Sequence, residues 1–277
     1  MNNKIHFTRT LGPVSARFIA ELQQCGKVIF TIDDASNVYG RERDKTINFL
    51  SDLTKRGLLA RIKSGVYLIL QVGQENAQLS NWPVIAHELA GSHTDYFISH
   101  YSAMRLHGMT THPLLDVYIS MSKRCGAKKI GDITYHFVYV KPENFWGHAA
   151  HWATKQDKVY VSDIERTLLD GLDRPDLCGG IKEIIRGIWI KHKEIDMKKL
   201  VQYATRFHTK AVVKRLGFIL ELFDFGVDYT ALLAESITSA KDYIFLDPNG
   251  PKEGKCSNHW RVRVNMNIAE LKASVWG

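Results

Sequence analysis

Apolar residues near the amino end recur at the spacing of a helix. Phe18, Ile19 and Leu22 follow Pro13 and precede Gly26. Proline suits the first turn of a helix and glycine suits the residue after its end. The pattern therefore predicts a first helix between these two residues.

Two further helices are predicted before residue 57. Thr31 offers an N-cap hydroxyl, and Asp34 stands at the third helical position, where it completes a capping box. This short second helix ends at Gly40. A third helix is predicted from about Arg41 to Lys55. Its apolar positions, which are expected to face inward, are Ile47, Leu50 and Leu53.

A β-hairpin is predicted directly after the third helix. Two β-prone segments, 58–62 and 66–70, flank the turn Lys63-Ser64-Gly65. Three helices followed by a basic hairpin are typical of a winged helix-turn-helix domain, here placed at residues 1–75. A small helical domain whose hairpin contacts proteins is the alternative.

The remaining residues, 76–277, are predicted to form a larger mixed α/β domain. A polar stretch through Ser80 indicates a linker, and Trp82-Pro83 starts a helix. Strands rich in β-branched and aromatic residues alternate with helical segments. The predicted strands are 96–99, 115–121, 133–141, 159–161, 243–246 and 260–264, and the main predicted helices are 100–107, 181–192, 197–207, 211–222 and 229–239. The fold class is therefore α+β, with a central sheet and packed helices in the second domain.

Positive charge is concentrated in the first domain. The 277 residues carry 37 Lys and Arg against 29 Asp and Glu, a net charge of +8. Residues 1–75 hold 11 of these cations and seven of the anions, so half of the excess lies in about a quarter of the chain. A basic protein attracts phosphate polyanions, although a charged helix face is often only solvated.

The third helix and the hairpin carry the candidate DNA-binding residues. Arg41, Lys45 and Asn48 recur four and three residues apart, so we expect them to share one stripe that reads bases in a major groove. Backbone contacts are expected from Arg43, Lys55 and Arg56. Arg61 and Lys63 are expected to act from the wing on phosphates or a minor groove.

Motifs along the chain resemble one known family. Residues 55–59 and 64–67 resemble the end of the recognition helix and the wing of AbiEi-type antitoxins. Residues 96–108, 159–170 and the Lys-Arg-Leu-Gly segment 214–217 resemble motifs of their antitoxin domain, in the same order. The resemblance spans about residues 13–225 and leaves the last fifty residues without a match.

The resemblance implies a bifunctional protein of a type IV (AbiE) toxin–antitoxin system. A winged-helix repressor would bind double-stranded operator DNA at inverted repeats, as two copies on related half-sites. A larger domain would counteract a nucleotidyltransferase-like toxin without requiring a stable complex. Lys210, Lys214 and Arg215 are the candidate antitoxin or auxiliary nucleic-acid surface, and an ordinary solvated helix surface is the alternative.

The sequence offers no candidate catalytic residue. Asp116 lacks the acidic partner of a two-metal site because Tyr118 stands there, and no phosphate-binding loop or nucleophile elbow is present. His148 and His151 are not read as metal ligands, and no cofactor or metal is expected. An enzyme acting on nucleic acid or nucleotides, or a ligand-sensing regulator, remains the alternative.

Composition adds three expectations. The chain has no run of about 20 apolar residues and no visible secretory signal, so a cytoplasmic location without membrane contact is expected. Its four cysteines are widely spaced, which indicates reduced thiols. The aromatic residues Phe145, Trp146 and Trp152 are interpreted as packing residues, with base stacking as the alternative.

Overall fold

The computed structural model describes residues 11–70, 77–91, 95–154 and 157–276. They divide into two compact units, the first within residues 1–93 and 127–135 and the second within 94–126 and 136–277. The predicted domain boundary between residues 75 and 76 lies outside the described residues. The helix predicted from Trp82, which was assigned to the second domain, belongs to the first unit.

The first unit begins with three helices, and their ends follow the predicted signals. The helices are α1 (Pro13–Gln24), α2 (Ile32–Tyr39) and α3 (Arg43–Lys55). Thr31 accepts a hydrogen bond from the backbone N–H of Asp34, and the Asp34 carboxylate accepts one in return from the Thr31 backbone N–H. This capping box and the left-handed Gly40 (φ +65°) fix both ends of α2.

A three-stranded antiparallel sheet completes the winged helix-turn-helix. Its strands are β1 (Ile29–Thr31), β2 (Leu59–Lys63) and β3 (Val66–Ile69), in the order β1-β3-β2. The wing turn is Ser64-Gly65, where Gly65 has a φ of +77°. The Gly65 carbonyl accepts a hydrogen bond of 3.0 Å from the Ile32 N–H, so the turn is held against the start of α2. The predicted α+β fold class is confirmed.

The core of the first unit is rich in aromatic rings. Phe18 of α1 makes edge contacts with Phe30, Tyr39 and Phe49, and these residues come from β1, α2 and α3. Tyr39 and Phe49 stack with ring centroids 4.2 Å apart. One α1 residue therefore contacts three other elements of this unit. Helix α4 (Ala77–Ala90), which packs against β2, extends this unit.

A six-stranded mixed sheet, most of which lies in the second unit, is covered by helices. Its strands are β4 (Tyr96–Ile98), β5 (Asp116–Met121), β6 (Lys128–Ile130), β7 (Ile133–Tyr139), β8 (His148–Trp152) and β9 (Lys158–Ser162). The order is β6-β7-β5-β4-β9-β8, and residues 127–135 at the β6 end are grouped with the first unit. Strands β4 and β9 are parallel, whereas β8 pairs antiparallel to β9 over five residues.

Helices and a second, smaller sheet build the core of this unit. The helices are α5 (His100–Leu106), α6 (Ile164–Asp173), α7 (Ile181–Lys191), α8 (Met197–Arg206), α9 (Lys210–Leu222), α10 (Val227–Ser236) and α11 (Ile268–Trp276). The small sheet has the order β10-β12-β11, with β10 at Ile244–Phe245, β11 at Lys255–Ser257 and β12 at Val262–Val264. None of the described helices is long and apolar enough to cross a membrane.

Gly217 explains part of the 214–217 motif. It lies in the middle of α9, where Trp260 is fully buried against it. A Cβ atom added at Gly217 would lie 2.0 Å from Trp260 Cζ3. The glycine is therefore required by the close approach of the indole ring rather than by its backbone angles.

Candidate nucleic-acid interface

The burial pattern of α3 defines which of its faces is free. Thr46, Leu50 and Leu53 are buried in the unit core. At 100° per residue, the opposite face is centred on Asn48 and Lys55. Asp44 and Ser51 lie beside them on this face, and all four side chains are exposed. The outward stripe of α3 is therefore polar, with one acid, Asp44, in the first turn and one cation, Lys55, in the last.

Asn48 lies at the centre of this exposed face. It is exposed, and its amide makes no hydrogen bond with any residue in the described part of the chain. An asparagine amide can pair with both N6 and N7 of adenine in a major groove. Ser51, one turn further along, was not predicted from the sequence, because a serine inside a charged segment gives no pattern.

Two predicted features of α3 are corrected by the structure. Arg41 precedes the N-cap residue Glu42, so it does not share a helical stripe with Lys45 and Asn48. Lys45 lies on the flank of the helix and forms an ion pair with Glu42 at 3.3 Å. Ile47, which was predicted to face inward, is exposed because Thr46 takes the buried position. An exposed apolar side chain beside Asn48 has the chemistry that contacts a thymine methyl group.

Arg43 and Arg56 are engaged within the unit. The Arg43 guanidinium donates to Asp33 of α2, which ties the two helices together. The Arg56 guanidinium donates to Asp52 and to Ser15 of α1, both at 3.3 Å. Both arginines remain at the surface, so they link the helices while part of each guanidinium stays exposed.

The wing carries its two predicted cations, in different settings. Arg61 is exposed, and its guanidinium donates weakly to the Lys63 carbonyl and the Ser64 hydroxyl at 3.4 Å. Lys63 is half-buried, and its ammonium donates to the Glu88 carbonyl and pairs with the Glu88 carboxylate, both at 2.8 Å. Arg61 is therefore the more available of the two for phosphate.

Asp34 stabilises the start of α2 as a charged group. Partial burial by itself raises the pKa of this carboxyl, but hydrogen bonds from Lys27 and Thr31 outweigh that effect and leave the pKa lowered. The carboxylate thus stays ionised at neutral pH beside the positive end of α2. The start of α2 is therefore stabilised by electrostatic interactions as well as by packing.

In the second unit, the predicted surface around α9 is corrected by burial. Lys214 is 2% exposed and Arg215 is 6% exposed. The Arg215 guanidinium donates to the carbonyls of Leu172 (2.8 Å) and Phe245 (3.1 Å), while the Lys214 ammonium donates to the Asp242 carbonyl. Burial lowers the pKa of both groups. These two residues join α6 and the small sheet to α9, and only Lys210 is exposed.

A buried arginine at the centre of the 159–170 motif was not predicted. Arg166 donates to the Asp170 carboxylate at 2.8 Å and to the carbonyls of Asn144 and Trp146 at 3.0 and 3.3 Å. Its guanidinium lies 4.3 Å from the Trp146 ring and 5.3 Å from the Phe207 ring. The only sequence signal was the four-residue spacing of Arg166 and Asp170, which is usually a surface ion pair.

Metal-ligating and thiol side chains were also predicted from the sequence to be without a special role. Among the residues that the structure describes, no group of three or more His, Cys, Asp or Glu side chains could hold a metal ion. Cys178 is buried, and burial raises the pKa of its thiol.

Comparison with known proteins supports the interpretation of the first unit. Residues 17–69 match the model of a family described as "Transcriptional regulator, AbiEi antitoxin". The resemblance predicted at residues 55–59 and 64–67 is thereby confirmed, whereas the motifs at 96–108, 159–170 and 214–217 lie outside the match. The match runs from within α1 to the end of β3 and so includes every predicted DNA-binding residue.

One solved structure shares the whole fold. The Rv2827c protein from Mycobacterium tuberculosis superposes with a TM-score of 0.69, at 14% identity, over 97% of this chain and 97% of that chain. At this identity the likeness shows the fold alone. Comparison with curated sequences gave no match.

Proposed function

We propose that this protein is a sequence-specific DNA-binding repressor and an antitoxin of a type IV toxin–antitoxin system, and that it is not an enzyme. The observation that supports the proposal best is the exposed face of α3, with Asn48 at its centre, on a domain that matches the AbiEi regulator family. The overall charge of +8 favours a polyanionic partner. A cytoplasmic location follows from this role.

The exposure of individual side chains supports roles on DNA that differ from those predicted by the spacing of residues along α3. Asn48 would read a base in the major groove, with Ile47 and Ser51 beside it. Arg41, at the start of the helix, and Lys55, at its end, would contact the backbone on either side, together with Lys45, Arg43 and Arg56. Arg61 and, more weakly, Lys63 would contact phosphates from the wing.

The antitoxin role is assigned to the second unit by the family resemblance. The partner would be a nucleotidyltransferase-like toxin, and the resemblance implies that a stable complex is not required. Of the three residues of the predicted antitoxin surface, Lys210 is exposed and the other two are buried. Two copies would occupy the two halves of an inverted repeat in the operator, as the resemblance also implies.

Substitution of Asn48 tests base reading. Fluorescence anisotropy would compare Asn48→Ala with the parent protein on promoter DNA containing an inverted repeat, and on operators changed at single base pairs. We expect a loss of roughly 1–3 kcal/mol on the parent operator and relaxed preference at one base pair. Asn37→Ala, an exposed asparagine on α2, is the matched control. Equal losses on all sequences would assign Asn48 to the phosphate backbone.

Separation of the two activities tests the bifunctional proposal. In cells that carry the toxin and a reporter under the operator, the double variant Asn48→Ala/Lys55→Gln should lose repression and retain protection. Lys210→Gln should retain repression. Loss of protection by a folded, equally abundant Asn48→Ala/Lys55→Gln variant would reject separable functions.

A further inference from the structure

Strands β8 and β9 form a ribbon at one edge of the larger sheet. Trp152 stands opposite Lys158, and Ala150 stands opposite Tyr160. Directly opposed residues of an antiparallel pair point to the same face. These four side chains therefore share one face of the ribbon, whereas Val159 faces the protein core.

This face exposes aromatic surface that a folded chain normally covers. Trp152 is 59% exposed and Tyr160 is 47% exposed. Phe145 and Trp146, the other members of the aromatic group predicted to pack, are half-buried, and Trp146 lies against Arg166 and Tyr203. Packing therefore does not account for Trp152. A tryptophan and a tyrosine exposed side by side call for a ligand or partner.

Neighbouring side chains hold the Tyr160 ring in place. Tyr160 makes edge contacts with Tyr96 at 5.9 Å and with His148 at 6.1 Å. Its backbone N–H donates to the Tyr96 hydroxyl at 3.3 Å. The regular pairing of β8 with β9 fixes Trp152 diagonally across from Tyr160, at roughly 7–8 Å between backbones. Rings fixed at this spacing can each accept a separate planar group.

The charge on this face favours an anionic ligand. The Lys158 ammonium lies 4.4 Å from the centre of the Trp152 ring. The other residues on this face are His148, Ala150, Tyr160 and Ser162, and none of them is acidic. The carboxylate of the neighbouring Asp157 accepts a hydrogen bond of 2.6 Å from the Thr154 hydroxyl in the turn. The face thus combines two rings with one cation, and its only aliphatic side chain is the small methyl group of Ala150.

We propose that the Trp152–Lys158–Tyr160 face binds single-stranded RNA, with two unpaired bases stacked on the two rings and Lys158 on the phosphate between them. Exposed aromatic rings on a sheet, joined to a cation, are the general means by which proteins hold unpaired bases. Unpaired bases in loops and ends are characteristic of RNA. The proposal is independent of duplex recognition by α3.

The test measures anisotropy of a fluorescein-labelled eight-nucleotide oligouridylate with the full-length protein. Trp152→Ala and Tyr160→Ala should each weaken binding about tenfold or more, and Trp152→Phe should restore most of the loss. Lys158→Gln should reduce the slope of log K against log salt by about 0.7. Melting curves of the variants exclude unfolding.

Tyr139 offers a matched control. It is also exposed and lies 4.6 Å from the Arg124 guanidinium, but it is on β7, away from the β8–β9 edge in the strand order. Tyr139→Ala and Arg124→Gln should leave oligouridylate binding unchanged. Asn48→Ala should also leave it unchanged, so failure of this proposal is distinguishable from failure of duplex recognition.

Three results would overturn the proposal. The first is unaltered affinity in both alanine variants. The second is equal affinity for the matching oligothymidylate, which would remove the assignment to RNA. The third is a change of oligomeric state in Trp152→Ala without any loss of oligouridylate affinity, which would make this edge a protein interface.

Discussion

Basic residues serve opposite purposes in the two units. In the first unit, Arg43, Lys45 and Lys55 lie at the surface, and the ion pairs made by Arg43 and Lys45 are exposed. In the second unit, Arg166 and Arg215 are buried and donate mainly to backbone carbonyls. Exposed pairs contribute little to stability, whereas a buried charge must be matched. The first set is available to a ligand, and the second set holds the fold together.

The largest effect is expected at Arg166. Arg166→Met removes the partner of Asp170, whose second carboxylate oxygen has no hydrogen-bond partner among the described residues. We expect a loss of about 3–5 kcal/mol in the free energy of unfolding, because an uncompensated buried charge remains. Urea denaturation of the full chain measures it.

The double variant Arg166→Met/Asp170→Asn separates charge from packing. It removes the buried carboxylate together with its partner, so it should be more stable than Arg166→Met alone. A double variant that is equally unstable would show that lost ring contacts with Trp146 and Phe207, not charge, cause the effect.

A smaller loss is expected at Arg215. Arg215→Met leaves the carbonyls of Leu172 and Phe245 without a donor, at a cost of about 1–3 kcal/mol. Lys210→Met, at the exposed start of the same helix, should change stability by no more than about 0.5 kcal/mol. Similar values for the two variants would remove the distinction between buried and exposed cations on which the comparison depends.

Asp34 provides a pH-dependent test within the first unit. Asp34→Asn should cost about 1 kcal/mol at neutral pH, because the carboxylate accepts hydrogen bonds from Thr31 and Lys27. The folded-state pKa of Asp34 is lowered, so its contribution is fully present above the unfolded value of about 3.9 and is lost as pH falls through the folded value. The stability difference between the parent and the variant should therefore shrink below about pH 4.

The sequence predicted those features that depend on interactions between residues close together in the chain. The ends of α2 followed from Thr31, Asp34 and Gly40, because capping is a local interaction. The orientation of α3 was less predictable. Thr46 is buried and Ile47 is exposed, which contradicts the expectation that apolar side chains face the core. Thr46 is tolerated in the core because its hydroxyl donates to the Glu42 carbonyl at 3.1 Å.

In the second unit, several features depend on contacts between residues that are distant in the sequence. Strand β8 reads His-Ala-Ala-His-Trp, which has no β-branched residue, and it forms only because β9 pairs with it. The cations of the 214–217 motif looked like surface residues because burial depends on the distant Leu172, Asp242 and Phe245. The exposure of Trp152 likewise follows from the position of β8 at the sheet edge.

The smallest effect on stability, and the sharpest contrast with Arg166, is expected at Lys55. This residue is exposed in the last turn of α3, and it makes no ion pair with any residue in the described ranges. Lys55→Gln should change the free energy of unfolding by no more than about 0.5 kcal/mol. On operator DNA, loss of one phosphate contact should reduce the slope of log K against log salt by about 0.9.

Arg17→Gln is the matched control for Lys55. Arg17 is an exposed cation on α1, paired with Glu21 at 2.7 Å, and it lies outside the proposed interface. Its salt slope on DNA should equal that of the parent protein. If Lys55→Gln and Arg17→Gln gave the same slope, α3 would have no privileged role in binding DNA. The surface cations of the first unit would then act only as a diffuse positive charge.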